Sequence, residues 1–159
     1  MNNTDFLLPL IISNIAGMII LFCCWKYPRT GRLLMFLLFM WAGITNWYTS
    51  SNSPLVYLDY AKYTVLPLYR DFIEGWFSRH ILLMVRVIAI GQLLIGISMF
   101  LKGIFFKAGA IGGMIFFVSI LPLGVGAGFP FPILGIAAFY FLYRQALENL
   151  YPSVKKIII

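Results

Sequence analysis

The sequence predicts an all-α polytopic membrane protein, and three observations predict it. Hydrophobic residues make up 62% of the 159 positions and charged ones 11%, against about half and about a quarter in soluble domains. Several apolar runs approach the roughly 20 residues that a bilayer core demands. The basic residues concentrate at one end of those runs. A soluble domain of this length has no means of covering so much apolar surface.

Five spans follow from apolar runs punctuated by charge, Gly and Pro. The first, about residues 6–25, ends at "KYPRTGR", and the second, 31–50, ends at "TSSNSP". The third, 81–101, passes through the short turn "KGIFFK" into the fourth, 107–124. "GVGAGFPFP" then breaks the chain before the fifth, 131–147. The first run has no basic leader and no small-residue cleavage site, so it reads as a retained span and not as a secretory signal. Cys23 and Cys24 are adjacent, whereas redox motifs space the pair as CxxC, so a packing role is expected for both.

Residues 51–80, "SNSPLVYLDYAKYTVLPLYRDFIEGWFSRH", are neither span nor tight loop. Leu58, Ala61, Val65, Leu68, Phe72 and Trp76 recur at helical spacing, and tyrosines are interleaved among them. Aromatic rings of this kind accumulate at membrane interfaces. The expectation is an amphipathic outer segment of one or two helices lying flat on the leaflet, broken at Pro67. It serves either as an aromatic anchor or as a lid over a pocket in the bundle.

Lys and Arg in short loops set the orientation. Lys26, Arg29, Arg32, Lys102, Lys107, Arg144, Lys155 and Lys156 fall on one side; Lys62, Arg70 and Arg79 fall on the other. Asp5, Asp59, Asp71 and Glu74 share the second side, and Glu148 lies on the first. The N-terminus is therefore expected outside and the C-terminus in the cytoplasm, in a cell (inner) membrane. The net charge of +7 is a topology signal suited to anionic headgroups, which argues against nucleic acid as a partner.

"IGQLLIGISMFLKGIFFKAGAIGGMIFFVSI", residues 90–120, resembles the DoxX-like family of small integral membrane proteins. "GRLLMFLLFMWAGITNW", residues 31–47, is similar to that family's opening helix. The resemblance covers roughly 31–145 and implies a DoxX-like four-helix bundle to which the first span is an N-terminal addition. It also implies a link to membrane redox assemblies, since named members are associated with thiosulfate:quinone oxidoreductase. Gln92 stands where many relatives carry glutamate, which removes an ionisable group.

Complete catalytic constellations are not evident. His80 is the only histidine, and haem iron needs axial ligands; His80 with Met84 is the one pair on offer. No His, Asp, Glu and Cys cluster suits a metal. "GVGAG" follows no strand, so it is no dinucleotide loop. A quinone site needs only an apolar slot with a few donors, and Trp47, Tyr48, His80, Arg86 and Gln92 are the candidates. Arg86 lies within the third span, where a cation is expensive. It either pairs with Asp59, Asp71 or Glu74, pinning the lid, or binds an anionic or carbonyl headgroup. Gly109 and Gly113 form a GxxxG pair, expected for close packing inside the bundle or across a homodimer.

Three function classes remain open. The first is a non-catalytic accessory or assembly subunit of a membrane complex. The second is a quinone- or lipid-binding component of a membrane oxidoreductase, and the third is a small-molecule transporter. The expected partners are the lipid bilayer with either other subunits or a second copy.

Overall fold

In the computed structural model, residues 3–148 are described, and side chains over 7–146. Lys155, Lys156 and the side chains of Asp5 and Glu148 lie outside the described residues. No strand occurs among those described.

Five long helices run α1 (Asn3–Lys26), α2 (Pro28–Asn52), α4 (Ile81–Ser98), α5 (Gly103–Ile120) and α6 (Phe131–Glu148). Between α2 and α4 a connector holds a 3₁₀ helix (Pro54–Lys62), the short α3 (Pro67–Phe72) and a π-helical turn (Ile73–Phe77). A second 3₁₀ stretch, Leu121–Ala127, links α5 to α6. Among the described residues four helices are long and apolar enough to cross a membrane: Leu7–Lys26, Pro28–Asn52, Ile81–Ser98 and Gly103–Ala127. That fits a multi-pass membrane protein whose apolar helices contact a lipid bilayer.

Each helix packs on the next in the order α1, α2, α4, α5, α6, and α6 returns to α1. The result is a closed ring of five. α1, an appendage by sequence, supplies one wall of it. Close approach is built from glycine: a Cβ on Gly43 of α2 would stand 2.8 Å from Leu93 of α4, and one on Gly31 would stand 2.6 Å from the Cys24 backbone. Where lipid removes the usual driving force, such tight van der Waals seams are what hold helices together.

At the centre Phe39 of α2 meets Phe116 and Phe117 of α5 and Phe139 of α6 edge-to-face, with centroids 5.4–5.6 Å apart. Edge-to-face geometry sets the positive rim of one ring against the negative face of another. Cys24, Met35, Met99, Phe106 and Leu142 extend this core. Cys23 and Cys24 are both free thiols.

The connector folds back on one end of the ring, which is called the connector end below. Its Tyr57, Ala61, Ile73 and Phe77 bury against Ile81 and Val85 of α4 as a second core. This differs from the stripe expected by sequence, since Val65, Leu68, Phe72 and Trp76 are exposed. One α-helical period does not carry through, because a 3₁₀ helix advances three residues per turn and a π turn more than four. The non-helical residues 63–66 reset the phase in between. Thr64 Oγ1 and the Val65 amide both donate to Pro122 O, at 2.9 and 3.0 Å, tying the connector to the α5–α6 link. Gly124 in that link has φ +60°, and a Cβ there would meet Tyr63 O at 2.8 Å. Only glycine suits both demands.

Candidate functional site

Under the connector lies a cavity of about 1430 Å³. It exists because α6 starts deep. Asn14 Nδ2, midway along α1, donates to Gly128 O at 3.1 Å, and Gly17 faces Phe131 at the start of α6. The connector-end half of α1 therefore has no helix of α6 beside it. Leu10, Ser13 and Ala16 of α1 face the space, across from Leu38 and Trp41 of α2. Phe116 and Ser119 of α5 form a further wall, and Leu68, Tyr69 and Phe72 of α3 cover it. Tyr69 OH fixes that cover by donating to Ser119 O at 3.0 Å.

The lining is mostly apolar, with one polar wall. Tyr57 OH donates to Asn46 Oδ1 at 2.9 Å, and Asn46 Nδ2 donates to Gln92 Oε1 at 2.8 Å. Tyr57 and Asn46 line the cavity, and Gln92 stands behind them, 3% exposed. Buried polar groups need such partners, because an unpaired one loses its water without compensation. Tyr60 lines the same wall. Burial pushes its phenol above the ordinary value, and burial followed by the neighbouring Tyr60 does the same for Tyr57. Both phenols are neutral donors near pH 7.

The residues singled out by sequence divide among separate places. Gln92 belongs to the polar wall. Trp47 and Tyr48 instead line a smaller groove of about 600 Å³ between α2 and α4, with Ile44, Ser51, Asn52 and Leu93. His80 stacks on Trp76 with ring centroids 4.4 Å apart, and its Nδ1 lies 2.9 Å from Trp76 O. The expected ion pair of Arg86 with the connector is not formed. Asp59 pairs with Lys62 at 2.6 Å, the single ion pair among the described residues, and Asp71 and Glu74 are exposed. The reason is direction: Arg86 faces α2, where it lies over the Trp47 ring and donates to Ser51 Oγ at 3.3 Å. Gly109 faces Ser98 of α4, and Gly113 faces Phe139 of α6.

Asn46, Tyr57 and Tyr60 were missed by sequence reasoning. Asn46 carried a usable signal, since an amide inside a span is expensive and calls for a partner. Gln92 is the matching amide on the facing helix.

Among the described residues no group of three His, Cys, Asp or Glu converges. What the arrangement offers is a large, half-open apolar cleft with hydrogen-bonding groups on one wall. No family model, no curated protein and no solved structure matches this chain.

Proposed function

We propose that this chain is a non-catalytic subunit of the inner membrane that holds one lipophilic molecule, a quinone or a lipid, beneath its connector. The cavity carries this reading. Pockets for drug-sized ligands span about 300–1,000 Å³, and 1430 Å³ suits a longer chain. Asn46 spends one N–H on Gln92, and its second is available to a carbonyl oxygen of the guest. The DoxX-like resemblance of residues 31–145 agrees with a quinone-linked setting. In this reading α6 is a fifth crossing, the connector faces outward and the opposite end faces the cytoplasm.

Lipid extraction and mass spectrometry of protein purified in mild detergent test the proposal. One lipophile should be recovered near one per chain, and less with Ser119→Trp or Ala16→Trp, which fill the space. Recovery of none from the wild type, or equal recovery from the filled variants, overturns it. For orientation, a thiol reagent applied to intact cells should label Lys62→Cys and spare Lys155→Cys in a background free of Cys23 and Cys24.

A further inference from the structure

The groove between α2 and α4 is distinct from the cavity, and Arg86 stands at it. Arg86 lies five residues into α4, ~8 Å along the axis from Ile81. Its guanidinium carbon sits 5.1 Å from the Trp47 ring centroid, and among the described residues its one hydrogen bond is the 3.3 Å contact to Ser51 Oγ, with the buried Nε finding no partner there. No carboxylate among the described residues pairs with it. A cation held in the apolar part of a bundle requires compensation, and a tryptophan face with one long hydrogen bond compensates only in part. Among the described residues nothing supplies the missing counter-charge.

The groove shows what kind of anion fits. Trp47 and Ser51, the two residues Arg86 touches, both line it, beside Asn52 and Tyr48. Ile44 lies seven residues before Ser51, and Leu93 seven after Arg86. That spacing is two turns along one face of each helix. The groove is thus polar at the connector end, where Arg86 sits against its Trp47 and Ser51, and apolar two turns deeper. A phospholipid has the same gradient over the same distance. We infer that this groove binds an anionic phospholipid, its phosphodiester on Arg86 and Ser51 and an acyl chain along Ile44 and Leu93. Among the described residues no acidic side chain lines the groove to offset the ammonium of a zwitterionic headgroup. The inference does not depend on any guest in the cavity.

Trp47 reports on the site directly. With Trp25, Trp41 and Trp76 changed to Phe, the protein is reconstituted in phosphatidylcholine vesicles. These contain the same fraction of either brominated phosphatidylglycerol or brominated phosphatidylcholine, whose bromines quench an adjacent indole. Stronger quenching by the phosphatidylglycerol is expected, with the excess lost in Arg86→Gln and reduced in Ser51→Ala. Equal quenching by the two lipids, or an excess that persists in Arg86→Gln, overturns the inference. So does an excess abolished by added inorganic phosphate, which would make this a site for the free anion. The lipid comparison with Arg86 in place decides the matter even where Arg86→Gln does not fold.

Discussion

The ring of Phe139 fills the position that a Cβ on Gly113 would occupy. The relation is reciprocal: Phe117, four residues after Gly113, fills the Cβ position of Gly135, four residues before Phe139. Each of two antiparallel helices thus offers a glycine socket and, one turn on, an aromatic knob for the other. Phe39 closes the pair from α2.

Gly113→Leu and Gly135→Leu should therefore destabilise the protein strongly, since overpacking costs about 1–3 kcal/mol even for smaller insertions. Gly112→Ala is the contrast, because its Cβ would meet Ile95 at an ordinary 3.5 Å. Thermal unfolding in detergent should separate the two neighbours clearly. If Gly113→Ala and Phe139→Ala are combined, their effects should couple and not add, as expected of residues in direct contact.

Arg32 is the second joint to test. Its Nε donates to Met99 O at 2.6 Å and a terminal nitrogen to Leu101 O at 2.5 Å, while its Cζ lies 4.2 Å from the Phe106 centroid. It satisfies carbonyls just past the end of α4, which the helix itself cannot, and binds α2 to α5. Lysine supplies charge but no planar fork. Arg32→Lys should lower stability by about 1–2 kcal/mol, read from the same melting curves, and an unchanged curve would reduce Arg32 to a topology charge.

Composition and apolar run length made the helical, membrane-type fold legible, because those depend on residues counted along the chain. The breaks were legible where Pro or Gly enforced them, as at Pro28 and Gly124. The cavity was not, since it depends on how deep α6 begins, and that is set by Asn14 reaching Gly128 across 114 residues. Arg86 shows the same limit. Its position in a costly place was plain from sequence, but which way it turns on α4 decided between the connector's acids and α2. The connector's buried face was misread because its 3₁₀ and π turns do not repeat at the α-helical period.

Tyr57 and Tyr60 make a prediction about pH. Their phenols are raised above the ordinary value, chiefly by burial. A raised folded value means that the folded state holds its proton longer than the unfolded one. The stabilisation is then complete below about pH 10, the ordinary tyrosine value, and falls as pH rises through the raised values. Phenolate absorbance should show these two phenols ionising above the ordinary tyrosine value, as the connector detaches. Tyr60→Phe should remove one late-ionising group. Loss of an ordinary phenol in both Tyr57→Phe and Tyr60→Phe would place both rings in water.

The polar wall offers the sharpest separation of structure from binding. Asn46→Leu deprives Gln92 Oε1 of its donor and Tyr57 OH of its side-chain acceptor, while leaving the rings and the cavity volume nearly unchanged. Orphaning a buried polar group costs about 1–3 kcal/mol, whereas replacing both partners by apolar groups of similar shape is close to neutral. Asn46→Leu should therefore lower the melting temperature, and Asn46→Leu with Gln92→Leu should recover part of the loss. Binding should follow a different pattern. If Asn46 holds the polar end of a guest, the double variant stays deficient in the recovered lipophile although its stability improves. Recovery of stability and lipophile together would make Asn46 a packing residue, with the guest held by the apolar lining alone.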